Sequence, residues 1–233
     1  GHGDDIVEGG AGNDSIGFQH DGGSDSIDSG TGDDWIMIYR NARDVVEQIS
    51  VTTGEGNDQL RFQNFDEGTL TVAFGSGADR FTLLGTRNDV TLSLGADADV
   101  VDFSQNYTFN TFIGEMLISI TDYVPGEDRL EWGDYLQNEL VGWHGLNPFA
   151  TGYLQLEQQP GQVVLLIDRD GSGSDYSATP FLVLENLTLS SLSSADFHGF
   201  DPDEVLDVAS DFNGDGRSDI LWRNDNGALA EWI

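Results

Sequence analysis

Short segments rich in glycine and aspartate recur in the first half of the chain, and they carry the side chains best suited to chemistry. Six of them approximate the pattern Gly-x-Gly-x-Asp, and Gly95-Ala96-Asp97-Ala98-Asp99 is a weaker seventh copy. The six are Gly3-Asp4-Asp5, Gly10-Ala11-Gly12-Asn13-Asp14, Gly22-Gly23-Ser24-Asp25, Gly30-Thr31-Gly32-Asp33-Asp34, Gly54-Glu55-Gly56-Asn57-Asp58 and Gly75-Ser76-Gly77-Ala78-Asp79. Glycine permits the positive φ of a tight turn, and carboxylate and carbonyl oxygens are the ligands that Ca²⁺ takes. The pattern therefore indicates turns that bind calcium.

An apolar residue stands two positions after the aspartate of every copy. These residues are Val7, Ile16, Ile27, Ile36, Leu60, Phe81 and Val101. A turn followed by one short strand cannot bury its apolar side chain alone, whereas stacked copies bury a continuous row. The sequence therefore predicts stacked coils with calcium held between their turns. The candidate ligands are Gly3, Asp5, Gly10, Gly12, Asp14, Gly23, Asp25, Gly30, Gly32, Asp34, Gly54, Gly56, Asp58, Gly75, Gly77, Asp79, Asp97 and Asp99.

The spacing of the copies predicts two strands in each coil. Asp5 and Asp25 are 20 residues apart, as are Asp14 and Asp34, so that two motif turns alternate on opposite sides of a coil. From residue 58 onward only one side keeps the motif.

The strand segments keep the same register through the later coils. The predicted rows are Leu60 with Phe81 and Val101, Phe62 with Leu83 and Phe103, Leu70 with Val90, Val72 with Leu92, and Phe74 with Leu94. Alternation of apolar and polar residues, as in Val90-Thr91-Leu92-Ser93-Leu94, favours strands over helix. We therefore expect an all-β chain: a parallel β-roll solenoid with two short strands per coil, followed by a β-rich capping domain. Short helices are expected only at 135–141 and at 189–196, the second capped by Ser190 or Ser191.

Charge narrows the classes of partner. The chain has 42 acidic residues against 9 basic ones, all Arg, which gives a net charge of −33. Nucleic acids and anionic membranes are poor partners for such a surface. Cysteine is absent, so no disulfide can form. No stretch approaches the roughly 18 apolar residues of a membrane-spanning helix, so no membrane insertion is expected. Cations must neutralise most of the carboxylates.

No catalytic motif stands out in the sequence. The four histidines form no His-Glu-x-x-His pair, and neither a Gly-x-Ser-x-Gly elbow nor a phosphate-binding Gly-Lys-Ser/Thr loop occurs. Among 42 carboxylates some pair falls at glycosidase distance by chance, so pairing has no diagnostic value. We expect no catalysis in this segment.

The Gly/Asp turns resemble those of the repeats-in-toxin (RTX) family of calcium-binding β-rolls. The nine-residue unit of that family is Gly-Gly-x-Gly-x-Asp-x-U-x, with U a large aliphatic residue. The likeness is closest at residues 9–17 and 29–37, and residues 120–130 resemble the segment that closes such rolls. The resemblance implies several bound Ca²⁺ ions and export before folding, and it adds Asp122 and Asp128 as candidate ligands.

Residues 147–197 are similar to C-terminal domains of bacterial proteins exported by type I secretion. The segments 152–154, 167–171 and 194–197 carry this likeness. It implies a type I export machinery as a partner. Within it, Asp168 and Asp170 precede Gly171-Ser172-Gly173, where a metal loop and a plain hairpin turn are both open.

A different calcium signal lies near the end of the sequence. Oxygens alternate at positions one, three and five of the loop 211–219, Gly216 supplies a bend, and an aspartate stands at position nine. An EF-hand would need Glu at position twelve, where Trp222 stands, and a strand is expected to follow. The loop resembles that of propeller-type repeats of bacterial surface proteins and integrin heads. Its candidate ligands are Asp211, Asn213, Asp215, Arg217 and Asp219.

These observations predict a β-roll over 1–112, a capping domain over 113–199 and a partial calcium-loop repeat over 200–233. The leading hypothesis is a calcium-triggered folding module of a secreted bacterial protein. One alternative is a structural or adhesive cell-surface protein stiffened by calcium, which would associate with itself or with a surface partner. Another is the C-terminal part of a type I secreted hydrolase whose active site lies upstream. All three place the chain outside the cell or on its surface.

The run Trp35-Ile36-Met37-Ile38-Tyr39 is typical of a core strand with a second, outer face. If Trp35, Met37 and Tyr39 point outward, they need a covering segment or a partner.

Overall fold

The computed structural model describes residues 3–20, 22–40, 47–63, 68–85, 89–103, 117–204, 220–223 and 229–232. The described part of the chain is nearly all β, and its parallel sheets form a β-solenoid of about four turns. The predicted all-β class with a parallel solenoid is therefore confirmed. Within the described ranges, no helix has the length and apolar character needed to cross a membrane.

Twelve short strands build the coils. They are β1 (Ile6–Glu8), β2 (Ser15–His20), β3 (Gly23–Asp28), β4 (Trp35–Arg40), β5 (Glu47–Thr52), β6 (Gln59–Gln63), β7 (Gly68–Ala73), β8 (Arg80–Gly85), β9 (Asp89–Ser93), β10 (Val100–Asp102), β11 (Ile118–Ile120) and β12 (Arg129–Glu131). The odd-numbered strands pair in parallel as one wall, in the order β1-β3-β5-β7-β9-β11, and the even-numbered strands β2 to β12 form the other. Each coil thus contributes one strand to each wall, as predicted.

The register between coils matches the predicted apolar rows. Leu60 pairs with Phe81 and Phe81 with Val101 on one wall, while Leu70 pairs with Val90 on the other. All five side chains are at most 1% exposed. Alternation with period two puts these residues inside and their polar neighbours outside, so the two walls enclose one continuous apolar core.

Parallel pairing continues beyond the coils that carry the motif. Strand β11 pairs with β9, and β12 pairs with β10. The core that begins at Phe18 runs without interruption to Phe197. The predicted boundary at residue 112 lies outside the described residues.

An antiparallel unit extends the first wall. It consists of β13 (Leu154–Gln159), β14 (Gln162–Ile167) and β15 (Thr179–Glu185), and β15 pairs in parallel with β11. A separate hairpin of β16 (Ile220–Arg223) and β17 (Leu229–Trp232) follows. The strand predicted to follow the loop 211–219 is therefore confirmed as β16.

Both predicted helices are shorter in the structure. Helix α1 spans Tyr135–Glu139, and the second is a single 3₁₀ turn at Leu189–Ser191. The predicted serine cap is wrong, because Thr188 precedes the turn and makes no side-chain capping bond. Ser191 Oγ instead donates to the Thr188 carbonyl at 2.6 Å.

Aromatic side chains close the end of the core below the cap. Trp132 stacks on Phe103 with ring centroids 4.9 Å apart, and Phe181 meets Phe103 edge-on at 5.3 Å. Tyr135 of α1 lies 6.1 Å from Trp132. This cluster joins the last coil to the antiparallel unit through contacts that are worth about 0.5–1.5 kcal/mol per pair beyond their area.

The Asp196 carboxylate ties the 3₁₀ region to the closing segment of the roll. The side chain is 0% exposed and accepts four hydrogen bonds. Oδ1 accepts from Tyr123 Oη at 3.2 Å and Gly126 N at 3.0 Å, and Oδ2 accepts from Ser193 N and Oγ at 2.8 and 3.0 Å. Because each oxygen of the Asp196 carboxylate accepts two hydrogen bonds, its burial is compatible with a stable fold.

We expect Asp196→Asn to lower the free energy of unfolding by about 2–4 kcal/mol, since an amide group would face donors in place of one oxygen. Urea denaturation in calcium measures the change. The matched control is Asp203→Asn, at an exposed aspartate nearby, and it should shift the free energy by less than about 0.5 kcal/mol. Equal effects of the two substitutions would contradict this role of Asp196.

Candidate metal-binding turns

Five motif turns stack on one side of the solenoid. Their middle residues form parallel bridges from coil to coil, from Ala11 to Thr31, Glu55, Ser76 and Ala96 in turn. The aspartates that end these turns are therefore brought into one line. We call this line the aspartate column; it consists of Asp14, Asp34, Asp58, Asp79 and Asp99.

One oxygen of each carboxylate in the column above Asp14 holds the coils in register. The backbone N–H of Asp14 donates to Asp34 Oδ1 at 2.8 Å, and the N–H of Asp34 donates to Asp58 Oδ1 at 2.8 Å. The same bond recurs from Asp58 to Asp79 at 2.7 Å and from Asp79 to Asp99 at 2.8 Å. Each of these bonds joins an aspartate side chain to the backbone of the coil before it, so the four bonds repeat along the stack.

The second oxygen has no such partner. The Oδ2 atoms of all five column residues are buried and accept no hydrogen bond of normal geometry from the described residues, although the Thr53 hydroxyl group is near enough to Asp58 to lower its pKa slightly against the effect of burial. Asp34, Asp58 and Asp79 are each at most 2% exposed. Leaving an ionised oxygen buried and unsatisfied is costly, so the column fits a bound cation.

The described residues do not bring three acidic or histidine side chains to one point. An ion at the column would therefore take most of its ligands from the carbonyls of the turns, with one or two carboxylates. Ca²⁺ accepts that mixture, since six to eight oxygens of either kind can surround it.

Burial and mutual repulsion shift the acidity of the column. Burial raises the pKa of Asp79 and of Asp99 to about 7, neighbouring carboxylates add to the rise, and hydrogen bonds from backbone N–H groups oppose it. Burial also raises the pKa of Asp58. At neutral pH, ionisation of every carboxylate in the column therefore costs free energy unless a cation is bound.

The stacked turns require glycine for close approach. Gly54 has φ +95°, and a Cβ added there would overlap the carbonyl oxygen of Gly30 in the coil before. Gly30 stands in the same relation to Gly10. The motif glycines, which the sequence analysis gave as ligands through their carbonyls, thus bring those carbonyls against the next turn. Whether the carbonyls bind metal stays a prediction.

The opposite side of the first coil has similar geometry but a different partner. Asp5 N donates to Asp25 Oδ1 at 2.8 Å, and Gly23 packs on the carbonyl of Gly3. The Asp25 Oδ2 atom, however, contacts His20 Nδ1, and His20 is 1% exposed. The imidazole occupies the position at which the column leaves its carboxylate oxygens without a donor.

The sequence analysis gave His20 no role. The sequence does contain a signal, because His20 stands five residues before the motif aspartate Asp25. The turn after β2 brings the two side chains together.

In the closing segment, residues 120–130, both carboxylate oxygens of each predicted ligand accept hydrogen bonds from the protein. Asp128 continues the column, since its Oδ1 accepts from Asp99 N at 3.0 Å, but its Oδ2 accepts from Val124 N at 2.7 Å. Asp122 Oδ1 accepts from Leu94 N at 2.7 Å. The Asp122 Oδ2 atom accepts from Ser93 Oγ at 2.7 Å and from the backbone N–H of Gly95 at 3.1 Å. The line of aspartates therefore ends at Asp128, and both predicted ligands accept from protein donors: backbone N–H groups and, for Asp122, also the Ser93 hydroxyl group.

A second, exposed row runs beside the column and was missed in the sequence. Asp33 N donates to Asn13 Oδ1 at 3.0 Å, Asn57 N to Asp33 Oδ1 at 2.8 Å, and Ala78 N to Asn57 Oδ1 at 2.9 Å. The recurrence of Asn or Asp just before the motif aspartate is the signal that predicts it. The predicted ligand Asp97 lies at the exposed surface, and its Oδ2 accepts from Gly77 N at 3.2 Å.

The remaining predicted ligands lie apart from the column. Asp168 and Asp170 share a loop after β14, where Asp168 Oδ1 accepts from Asp170 N at 3.2 Å and Asp170 Oδ2 accepts from Asp175 N at 2.9 Å. Burial raises the pKa of Asp168, whereas the Asp175 N–H lowers that of Asp170. The loop 211–219 lies outside the described residues, with its predicted ligands Asp211, Asn213, Asp215, Arg217 and Asp219.

Comparison with models of known protein families finds none that matches this chain, and no curated protein is significantly similar to it. The parallel solenoid is compatible with a β-roll. The fold and the geometry of the turns therefore carry the functional argument.

We expect Gly54→Ala to lower the free energy of unfolding by about 2 kcal/mol or more, because the added Cβ meets backbone and the φ is unfavourable for alanine. Gly17→Ala is the control, since a Cβ there meets nothing within 4 Å. Chemical denaturation in calcium compares the two. If both variants are as stable as the parent, close stacking of the turns is not required.

Without calcium, the fold should be more stable in mild acid than at alkaline pH. The pKa of Asp79 and Asp99 is about 7 in the fold, against about 3.9 in an unfolded chain. Between these values the fold binds more protons than the unfolded chain, so stability falls as pH rises through the range. In chelator we therefore expect a larger far-UV β signal at pH 5 than at pH 8. Asp79→Asn should flatten this dependence, and a β signal that rises with pH in chelator would contradict it.

Proposed function

We propose that this chain is a calcium-binding module of a secreted bacterial protein and that its coils fold when calcium binds at the aspartate column. The observation that carries the proposal is the line of five buried Oδ2 atoms with no hydrogen-bond donor among the described residues. Several Ca²⁺ ions along the column would give these oxygens their missing partner. The likeness of the turns to RTX repeats supports the same choice of ion.

The two carboxylate oxygens of each column residue have different roles. Oδ1 accepts the N–H of the preceding turn and fixes the distance between coils. Oδ2 and the carbonyls of the turn would hold the ion. Bound calcium supplies the positive charge that offsets repulsion along the column.

Charge over the whole chain favours folding that depends on an ion. With a net charge of −33 and only nine arginines, most carboxylates have no cationic side chain to pair with. Repulsion expands the chain without calcium, and ion binding offsets the conformational entropy lost on ordering the coils.

Calcium concentration provides a switch between compartments. Extracellular calcium modules bind with dissociation constants of about 10⁻⁴–10⁻³ M, so such sites are empty in the cytosol and filled outside the cell. We propose that the chain is exported unfolded by a type I machinery and folds on arrival, with no catalytic role in this segment.

A calcium titration of the chelator-treated chain, followed by far-UV circular dichroism, tests the proposal. We expect a cooperative gain of β signal with a midpoint of about 10⁻⁴–10⁻³ M, and a much smaller gain with Mg²⁺, which requires a tighter octahedral shell. A full β signal in excess chelator at pH 8 would contradict calcium-triggered folding.

The variant Asp58→Asn separates an ion site from an ordinary turn. It keeps the Oδ1 acceptor and removes a buried negative charge, so in chelator at pH 8 we expect it to favour the folded state by about 1 kcal/mol or more, measured as a larger far-UV β signal than that of the parent chain. In saturating calcium we expect the opposite sign, a loss of about 1–3 kcal/mol, because an ion ligand is gone.

Asp28→Asn is the matched control, since Asp28 is an exposed aspartate on the outer face of β3. It should change stability by less than about 0.5 kcal/mol in both conditions. If Asp58→Asn has the same effect with and without calcium, the column does not bind the ion.

A further inference from the structure

Nine side chains form an outward-facing array on the wall of even-numbered strands. They come from three neighbouring strands in register: Ser15, Gly17 and Gln19 of β2, Trp35, Met37 and Tyr39 of β4, and Gln59, Arg61 and Gln63 of β6. We call these nine residues the β4 platform. Trp35 is 39% exposed and Tyr39 36%, while Ile36 and Ile38 between them are buried. The aromatic residues of β4 thus point outward and not into the core.

Hydrogen-bonding side chains flank each ring of the β4 platform. Gln59 is the register partner of Trp35, and Tyr39 lies between Gln19 and Gln63. Met37 lies beside Gly17, where a Cβ would meet nothing within 4 Å, so the surface between the rings is open on that side. Flat apolar rings edged by amide donors and acceptors suit a ligand with apolar faces and polar edges.

The β4 platform also lacks the charge that dominates the rest of the chain. None of its nine residues is acidic, although the chain has 42 acidic residues, and its one charged residue is Arg61. A cationic ligand would be drawn to the carboxylates elsewhere, and a polyanion would be repelled by the net charge of −33. The platform therefore favours a neutral ligand.

The size of the β4 platform argues against a folded partner. Three strands about 4.8 Å apart and five residues along a strand cover about 10 by 13 Å, or roughly 130 Å². A stable protein interface needs about 800 Å² on each partner. The rings of Trp35 and Tyr39 belong to positions about 13 Å apart along the strand, which matches an extended chain of small units.

We propose that the β4 platform binds a neutral glycan, with pyranose rings stacked on Trp35 and Tyr39 and their hydroxyl groups paired with the flanking glutamines. Pyranose units present apolar C–H faces and a rim of hydroxyl groups, which is the chemistry that this array complements. The site requires only the folded coils and is independent of which ion stabilises them.

Isothermal titration calorimetry on the full chain in saturating calcium tests the proposal. The probes are three neutral hexasaccharides, cellohexaose, maltohexaose and mannohexaose, with hexagalacturonate as the anionic comparison. We expect at least one neutral probe to bind, and Trp35→Ala or Tyr39→Ala to weaken that binding about tenfold or more. Trp35→Phe keeps a ring and should retain most of the affinity.

Tyr176→Ala is the matched control, because Tyr176 is a 43% exposed aromatic residue away from the β4 platform. It should leave the affinity unchanged. Circular dichroism and the calcium midpoint establish that each variant is folded, and if Trp35→Ala is not, Tyr39→Ala and Trp35→Phe decide.

Three results would overturn the proposal. They are binding of the anionic probe alone, no binding of any neutral probe, and neutral binding that is unaffected when Trp35 or Tyr39 is replaced. Light scattering adds a check: if Trp35→Ala dissociates an oligomer of the parent chain and no neutral probe binds, the platform is a protein interface. Failure of glycan binding in a chain that still folds with calcium leaves the calcium proposal intact.

Discussion

Carboxylates of like charge lie one above another along the solenoid, one strand spacing of about 4.8 Å apart, and the coils are built around that repulsion. A hydrogen bond from backbone N–H to Oδ1 fixes each column aspartate above Asp14 in place, so these charges cannot move apart. Glycine at the turns brings the coils close enough for this bond to form. The thin apolar core must therefore be supplemented by positive charge, and nine arginines are too few to supply it.

The buried aspartates of the fold differ in what contacts their second carboxylate oxygen. Asp128 and Asp196 are completed by backbone and hydroxyl donors, and Asp25 by an imidazole. The column residues, Asp58 among them, keep one oxygen without a donor in the described part of the chain. Four column residues, Asp34, Asp58, Asp79 and Asp99, are as buried as Asp25, Asp128 and Asp196, all at most 3% exposed. The difference in partners, and not burial itself, supports the proposal that the column binds an ion.

Local patterns in the sequence were sufficient to predict the coils. Period-two alternation and a fixed distance from aspartate to the next apolar residue placed Leu60, Phe81 and Val101 in one row, and the structure confirms their register. Both patterns lie within one repeat, so they can be recognised without knowing which distant residues are in contact. The line of column aspartates followed from the same spacing.

Contacts between distant segments could not be predicted in this way. Asp196 meets Tyr123 across 73 residues, and no periodicity links the two. The same bond network explains why the predicted helix at 189–196 is only a 3₁₀ turn, because Ser193 and Asp196 bond to each other within a turn instead of continuing a helix. His20 was missed for a related reason: its partner is set by how a turn folds back.

The last coil that carries the motif has neighbours on both faces. Strand β9 pairs with β7 and β11, and β10 pairs with β8 and β12. A coil held on both faces opens less often than one held on a single face. The closing segment thus slows exchange of the amide protons of this coil with solvent.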